Sequence, residues 1–243
     1  MAIVLFNVTD IHCHILPGAD DGSKDWATSL EMCGIAAADG IRHIVATPHA
    51  NYRYPYDRQQ HSESLAQLQQ RVPDMEFSLG CDFYLSEDNI SDAIRHPERY
   101  SIGNTPYILV EFGDLQTPYQ MTESLFRLHS AGFLTIVSHP ERNPVIDGHP
   151  DLPREMFDMG AALQITAGSL LGQWGRKPKK TCETLLKQGL VSLIASDAHE
   201  SKRRKPLLSD ARRAAAKILG AYAAADLLVR DNPCAVVCSR ALA

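Results

Sequence analysis

The chain has 243 residues, 44% of them hydrophobic, with a formal net charge of -5 and a pI near 6.0. That composition supports a substantial core, and the acidic balance excludes a generally basic nucleic-acid surface while leaving room for a local pocket that takes a small anion. The opening MAIVLFNVTD has no basic leader or cleavage site, no apolar run approaches the ~18 residues of a membrane span, and six scattered cysteines without CxxC spacing read as reduced core thiols, so a cytoplasmic, non-inserted protein is expected.

Short β-branched runs alternate with amphipathic stretches from end to end, without repeat or linker. That pattern predicts one α/β domain over residues 1–243, built from about seven strand–helix units around a parallel sheet. The first strand, residues 7–14, ends in DIHCH, where alternation puts Asp10, His12 and His14 on one face and Ile11 and Cys13 on the other. Two imidazoles converging this way suit a borderline metal such as Zn, Mn or Fe. The following LPGADDG carries Asp20 and Asp21 before a glycine; alone it reads as a turn, but one carboxylate could fold back over the strand end.

A helix over 25–38 stops at the glycine of ADGI, and the second strand, 42–48, leads to His49 at its C-terminal end, with His43 at the opposite end as a structural or surface histidine. In NYRYPYD, Tyr52, Arg53, Tyr54 and Tyr56 lie on a loop that either flanks a phosphopeptide or packs its own tyrosines. After a helix over 57–71, the third strand, 75–82, ends on Asp82, and the fourth, 107–112, runs through Ile108, Leu109 and Val110 into Glu111. Acids so placed must be paired or bound to metal, because burying a lone carboxylate is costly.

A helix over 122–130 precedes the fifth strand, 133–139, which delivers His139 followed by Glu141 and Arg142. The sixth strand spans 161–166, and a helix over 179–188 stops at the glycine of KQGL. The seventh strand, 190–197, ends in Asp197 with His199 two residues on, and an Ala-rich helix follows over 208–219. Near the end, CAVVCSR sets Cys234 six residues before Arg240, the CX5R spacing of cysteine phosphatases, but without the glycine-rich cradle or following helix that such a nucleophile needs.

Together His12, His14, Asp21, His49, Asp82, Glu111, His139, Asp197 and His199 offer five imidazoles and four carboxylates, too many for one ion. Two or three divalent cations are expected, and their charge would outweigh the acids and draw a phosphate dianion into the pocket.

The set DIHCHILPGADDG, ATPH, EF, SHPER and SDAH resembles the polymerase-and-histidinol-phosphatase (PHP) superfamily, over about residues 10 to 204. Within it the chain is most similar to the manganese-dependent protein-tyrosine phosphatases of bacterial capsule and exopolysaccharide operons. The resemblance implies a distorted (β/α)7 TIM-like barrel holding three divalent metal ions, manganese first and iron or zinc as alternatives, on those nine residues. It also implies that Arg142 and Arg204 are the catalytic and substrate-binding arginines that grip phosphate, with Arg203 an open alternative to Arg204. The sequence departs from the family pattern at Asp82, where glutamate is expected, and at Ala50, often a second histidine.

The implied reaction is hydrolysis of phosphotyrosine by a hydroxide bridging two metals, on a phosphotyrosine protein such as a bacterial tyrosine kinase. The alternatives are a small-molecule phosphatase of the histidinol-phosphate type, a nucleotide phosphoesterase, or a non-catalytic metal-binding module. Degraded ligands would mark the last, and none of the nine positions is apolar.

Overall fold

A computed structural model describes residues 8–243; residues 1–7, which hold most of the opening segment and the expected start of the first strand, lie outside the described residues. The described strands are β1 (Val8–Cys13), β2 (Ile41–Ala46), β3 (His49–Ala50), β4 (Glu76–Leu79), β5 (Asp82–Tyr84), β6 (Tyr107–Glu111), β7 (Leu134–Ser138), β8 (Ala162–Thr166) and β9 (Leu193–Ala195). They pair in parallel throughout, in the orders β1-β2-β4 and β3-β5-β6-β7-β8-β9.

The expected second and third strands are each broken in two. Pro48, which has no N–H to give a ladder, falls in the first break, and Gly80 and Cys81 form the second. Three bonds keep the wall continuous across the breaks: Thr47 N to Cys13 O (3.0 Å), Gly80 N to Ala46 O (2.9 Å) and Asp82 N to Pro48 O (3.1 Å). The far edge returns to the first strand through Asp197 N to His12 O and His14 N to Ala198 O, both 2.8 Å. The wall is therefore a distorted barrel of parallel strands, as the alternating pattern predicts.

The helices are α1 (Trp26–Asp39), α2 (Arg58–Arg71), α3 (Glu87–Arg95), α4 (Pro118–Ser130), α5 (Pro144–Gly148), α6 (Leu152–Asp158), α7 (Ala167–Leu170), α8 (Arg176–Lys187), α9 (Ser209–Leu219), α10 (Tyr222–Asp226) and α11 (Asn232–Val237). The start of α4 precedes the expected residue 122 because Thr117 and Gln120 form a capping box and Pro118 takes the first turn. Gly40 ends α1 with φ +96°, and its N–H reaches Ala36 O and Ala37 O. Helix α3 and the shorter α5, α6, α7, α10 and α11 were not foreseen, since they span too few residues for a periodicity to declare itself.

Alternate strand residues Ile108, Val110, Leu163, Ile165 and Ile194 join the helices in one large buried cluster. A second cluster gathers Ile11, Val45, Leu109, Ile136 and Leu193, from β1, β2, β6, β7 and β9, with Val236 of α11. The C-terminal segment closes the N-terminal mouth of the barrel, with Tyr107 Oη donating to Arg240 O (2.7 Å) and Asn232 Nδ2 to Ser192 O (2.9 Å). That plug leaves the opposite mouth for chemistry.

Cys13, Cys33, Cys81 and Cys182 are buried thiols, whereas Cys234 is half-buried and Cys238 exposed, because α11 packs only one side against the barrel. Among the described residues no helix is long and apolar enough to cross a membrane.

Candidate metal centre

The strand-end residues meet at one mouth. His12 Nδ1 is bonded to Gln164 Oε1 on β8 (2.9 Å) and His14 Nδ1 to Asp20 Oδ2 (2.6 Å), which turns both Nε2 atoms inward, 3.2 Å apart. Pairing is irregular between Asp10 and Cys13, and the fully buried Asp10 accepts from Ser196 N (3.0 Å) and Ser196 Oγ instead of joining the cluster. The DDG turn does fold back, and both of its acids are used. Asp20 clamps His14 and accepts from Gly22 N (2.8 Å) and His49 N (2.9 Å), while Asp21 reaches His49 (3.4 Å) and His199 (3.6 Å).

Asp82 Oδ2 lies at the centre, 3.6 Å from His12 Nε2, 3.5 Å from His49 Nδ1 and 3.8 Å from His139 Nε2. Glu111 faces His49 (3.8 Å) and His139 (3.5 Å). Asp197 Oδ1 faces His12 (3.4 Å), His14 (3.6 Å) and His199 (3.6 Å), while its Oδ2 takes Arg142 Nη2 (2.6 Å) and Arg204 Nη2 (2.8 Å). All nine expected side chains and both expected arginines therefore converge on one region. His139 (φ 34°) and Asp197 (φ 52°) hold left-handed backbone to do so, at a cost of about 1–2 kcal/mol each.

The donor set fits divalent cations. Three overlapping groups have ligand atoms within 4.8 Å of one another: His14, Asp21, His49 and His199; His12, His14 and Asp82; and His49, Asp82 and Glu111. Asp82 Oδ2 and His49 Nδ1 are buried without a hydrogen-bond partner, the condition of polar atoms that a cation would satisfy. Mixed imidazole and carboxylate donors suit Mn, Fe or Zn.

The electrostatics agree. Burial would lower His12, but Asp197 and Asp82 carry it up to about 9. His49 likewise rises against its burial to about 9, through Asp21 and then Asp82. Burial and the charge of Asp82 push Glu111 up to about 8, whereas Asp82, despite its burial, is held well below the carboxylate range by His12, His139 and His49. Burial and His14 force His199 down to about 2. The carboxylates thus draw positive charge toward the cluster, as a site for cations requires.

A pocket of about 260 Å³ opens over the cluster, lined by Asp82, Glu111, His139, Arg142, Asp197 and Arg204 among others. Arg204 lines it and Arg203 does not. Trp174, which no spacing signalled, lays its ring 4.7 Å from the Arg142 guanidinium carbon and 5.3 Å from that of Arg204. Gln164 was also missed; its signal was a polar residue inside the apolar run AALQIT.

The remaining candidates lie as follows. His43 is bonded to Ser78 Oγ (2.8 Å) at the N-terminal end of β2. In NYRYPYD, Tyr54 stacks on His49 at 5.9 Å, Tyr56 is buried with its Oη on Gly80 O, and Tyr52 is exposed, so the loop buries one ring and sets another against the cluster. Burial and Cys238 raise the Cys234 thiol, the reverse of what an activated nucleophile requires, and its surroundings share no residue with the metal pocket.

Residues 8–238 match the family described as capsular polysaccharide synthesis, CpsB/CapC. The tyrosine-protein phosphatase YwqE of Bacillus subtilis is 36% identical over 200 residues, covering 80% of this chain and 78% of that protein. The tyrosine-protein phosphatase CpsB of Streptococcus pneumoniae is 28% identical over 235 residues, 92% of this chain and 96% of that one. A crystal structure from work on YwqE and CpsB, described as metal-dependent tyrosine phosphatases, superposes with a TM-score of 0.87 at 30% identity, over 97% of this chain and 96% of that chain. Histidinol phosphate phosphatase of Lactococcus lactis shares the fold, with a TM-score of 0.59 at 15% identity over 88% of this chain and 94% of that chain.

Proposed function

The chain belongs to the CpsB/CapC family of capsular polysaccharide synthesis, and from that premise we propose that it is a metal-dependent protein-tyrosine phosphatase acting through the nine-residue cluster. The observation that carries this reading is the convergence of five imidazoles, four carboxylates and two arginines at one barrel mouth. We assign Asp21, His49 and His199 to one ion, His12, His14, Asp82 and Asp197 to a second, and Asp82, Glu111 and His139 to a third, so that each imidazole serves one ion and only the two-oxygen Asp82 is shared, with manganese first and iron or zinc as alternatives. Divalent cations there supply an acidified water near neutral pH and neutralise phosphate oxygens.

The protein's own groups do the rest. Arg142 and Arg204 rest on the outer oxygen of Asp197 and need only turn to take the non-bridging oxygens of an entering phosphate. Arg142 Nε, buried and without a partner, is a further donor for that anion. Tyrosinate, with a pKa near ~10, leaves more readily than a serine alkoxide, so aryl phosphates should turn over faster than alkyl ones. The expected partner is a bacterial tyrosine kinase in the cytoplasm, within exopolysaccharide synthesis, and the whole chain forms one catalytic domain.

The test strips the purified protein with EDTA, restores Mn²⁺, and compares a phosphotyrosine peptide with histidinol phosphate and a short oligonucleotide. Peptide hydrolysis that vanishes on stripping, returns with Mn²⁺ and is indifferent to Cys234→Ser is the expected result. Full activity after stripping, or turnover confined to histidinol phosphate, would overturn it.

A further inference from the structure

Beside the metal pocket lies a second cavity, of about 280 Å³, lined by Trp174, Lys202, Arg203, Arg204 and Lys205 and sharing Asp197 and Arg204 with the first. Four consecutive basic residues are unusual on a chain whose net charge is -5. The side chains of Lys202, Arg203 and Lys205 are exposed, and no ion pair neutralises them among the described residues. The acids that line this cavity are already engaged, Asp197 with Arg142 and Arg204, and Asp210 with Arg213.

The basic loop is held in place. Arg204 O accepts from His199 N (3.0 Å) and Glu200 N (3.2 Å), and Ser201 and Pro206 are buried on either side of the four cations. Clustered like charges repel, so a fixed turn that keeps three of them unpaired is suited to an anion. The opposite flank differs: the cavity there sets Lys24, Lys202 and Arg204 against Asp21, Asp25, Glu31 and Glu200, so its acids outnumber its bases. Trp174 stands between the two anion-accepting spaces, its ring on the arginines of the first while it lines the second.

We propose that this cavity is a second anion subsite, which takes an acidic group of the peptide substrate, a carboxylate or a further phosphate, next to the scissile phosphotyrosine. The proposal rests on the phosphotyrosine reading above, and it adds a rule of substrate choice. Because the two spaces share a wall, the acidic group belongs to a residue close in sequence to the phosphotyrosine.

The test uses the metal-loaded full chain and four substrates: p-nitrophenyl phosphate, and three peptides with one phosphotyrosine flanked by alanine, by glutamate, or by a second phosphotyrosine. The expected result is kcat/KM about tenfold higher for the acidic flanks than for alanine at low salt, falling toward equality at high salt. In K202Q/R203Q/K205Q the preference should disappear, while p-nitrophenyl phosphate hydrolysis stays within about twofold, since these surface charges lie outside the reacting centre. A gain with glutamate shows that carboxylate suffices, and a gain with the second phosphotyrosine alone shows that the subsite needs a dianion; either supports the subsite. Equal kcat/KM for the three peptides, or a preference that survives in the triple variant, overturns it. Absence of p-nitrophenyl phosphate turnover in the wild type would instead defeat the phosphatase reading.

Discussion

His14 presents its Nε2 to the cluster because Asp20 holds its other nitrogen at 2.6 Å, and the carboxylate fixes both the tautomer and the ring direction. Asp20→Asn should keep the fold but weaken metal affinity by about 10- to 100-fold, read by competition with a chelator while the circular dichroism spectrum stays unchanged. Arg142 tests a different step. Arg142→Ala should lower kcat/KM on an aryl phosphate by about 10²- to 10³-fold, with metal content intact by elemental analysis. Asp82 is the position where the chain departs from the family pattern. Although shorter than the expected glutamate, it lies on the wall itself, 1% exposed, and places Oδ2 within 3.8 Å of three imidazoles.

At the scale of the element, the turn after β1 decides whether those residues meet. Gly22 lies against the chain it folds over, and a Cβ there would sit 2.4 Å from both His14 Cβ and His14 O. Gly22→Ala should therefore cost about 1–3 kcal/mol, seen as a lower denaturation midpoint, and should lose metal together with stability because Asp20 and Asp21 are displaced. A helix cap away from the mouth gives the contrast. Thr117→Ala at the start of α4 should cost about 1 kcal/mol of stability and leave kcat/KM unchanged. The strand ends were legible because apolar runs stop at His49, Glu111, His139 and Asp197. The breaks at Pro48 and Gly80 were not, since whether a strand bends there depends on the neighbours it must pair with.

For the whole molecule, cation binding at the cluster competes with protons on the imidazoles. With His12 and His49 both raised to about 9, loading at neutral pH has to expel their protons, so apparent metal affinity should climb as pH rises toward 9 and level off above it. Calorimetric titrations in buffers of different ionisation enthalpy check this: proton release should be larger at pH 7 than above pH 9, and equal release at both would contradict it. Cations that bind only the folded barrel should also raise its melting temperature with concentration. The sequence by itself determined the alternation of strands and helices, the residues at the strand ends and the excess of ligands over what one ion needs, because burial periodicity and side-chain spacing are local properties. Only the tertiary structure decided that Gln164 meets His12 from 152 residues away, that Trp174 covers two arginines, and that Arg204 rather than Arg203 faces the pocket. Those contacts form between segments whose relative placement is set by closing the barrel, and no local pattern records it.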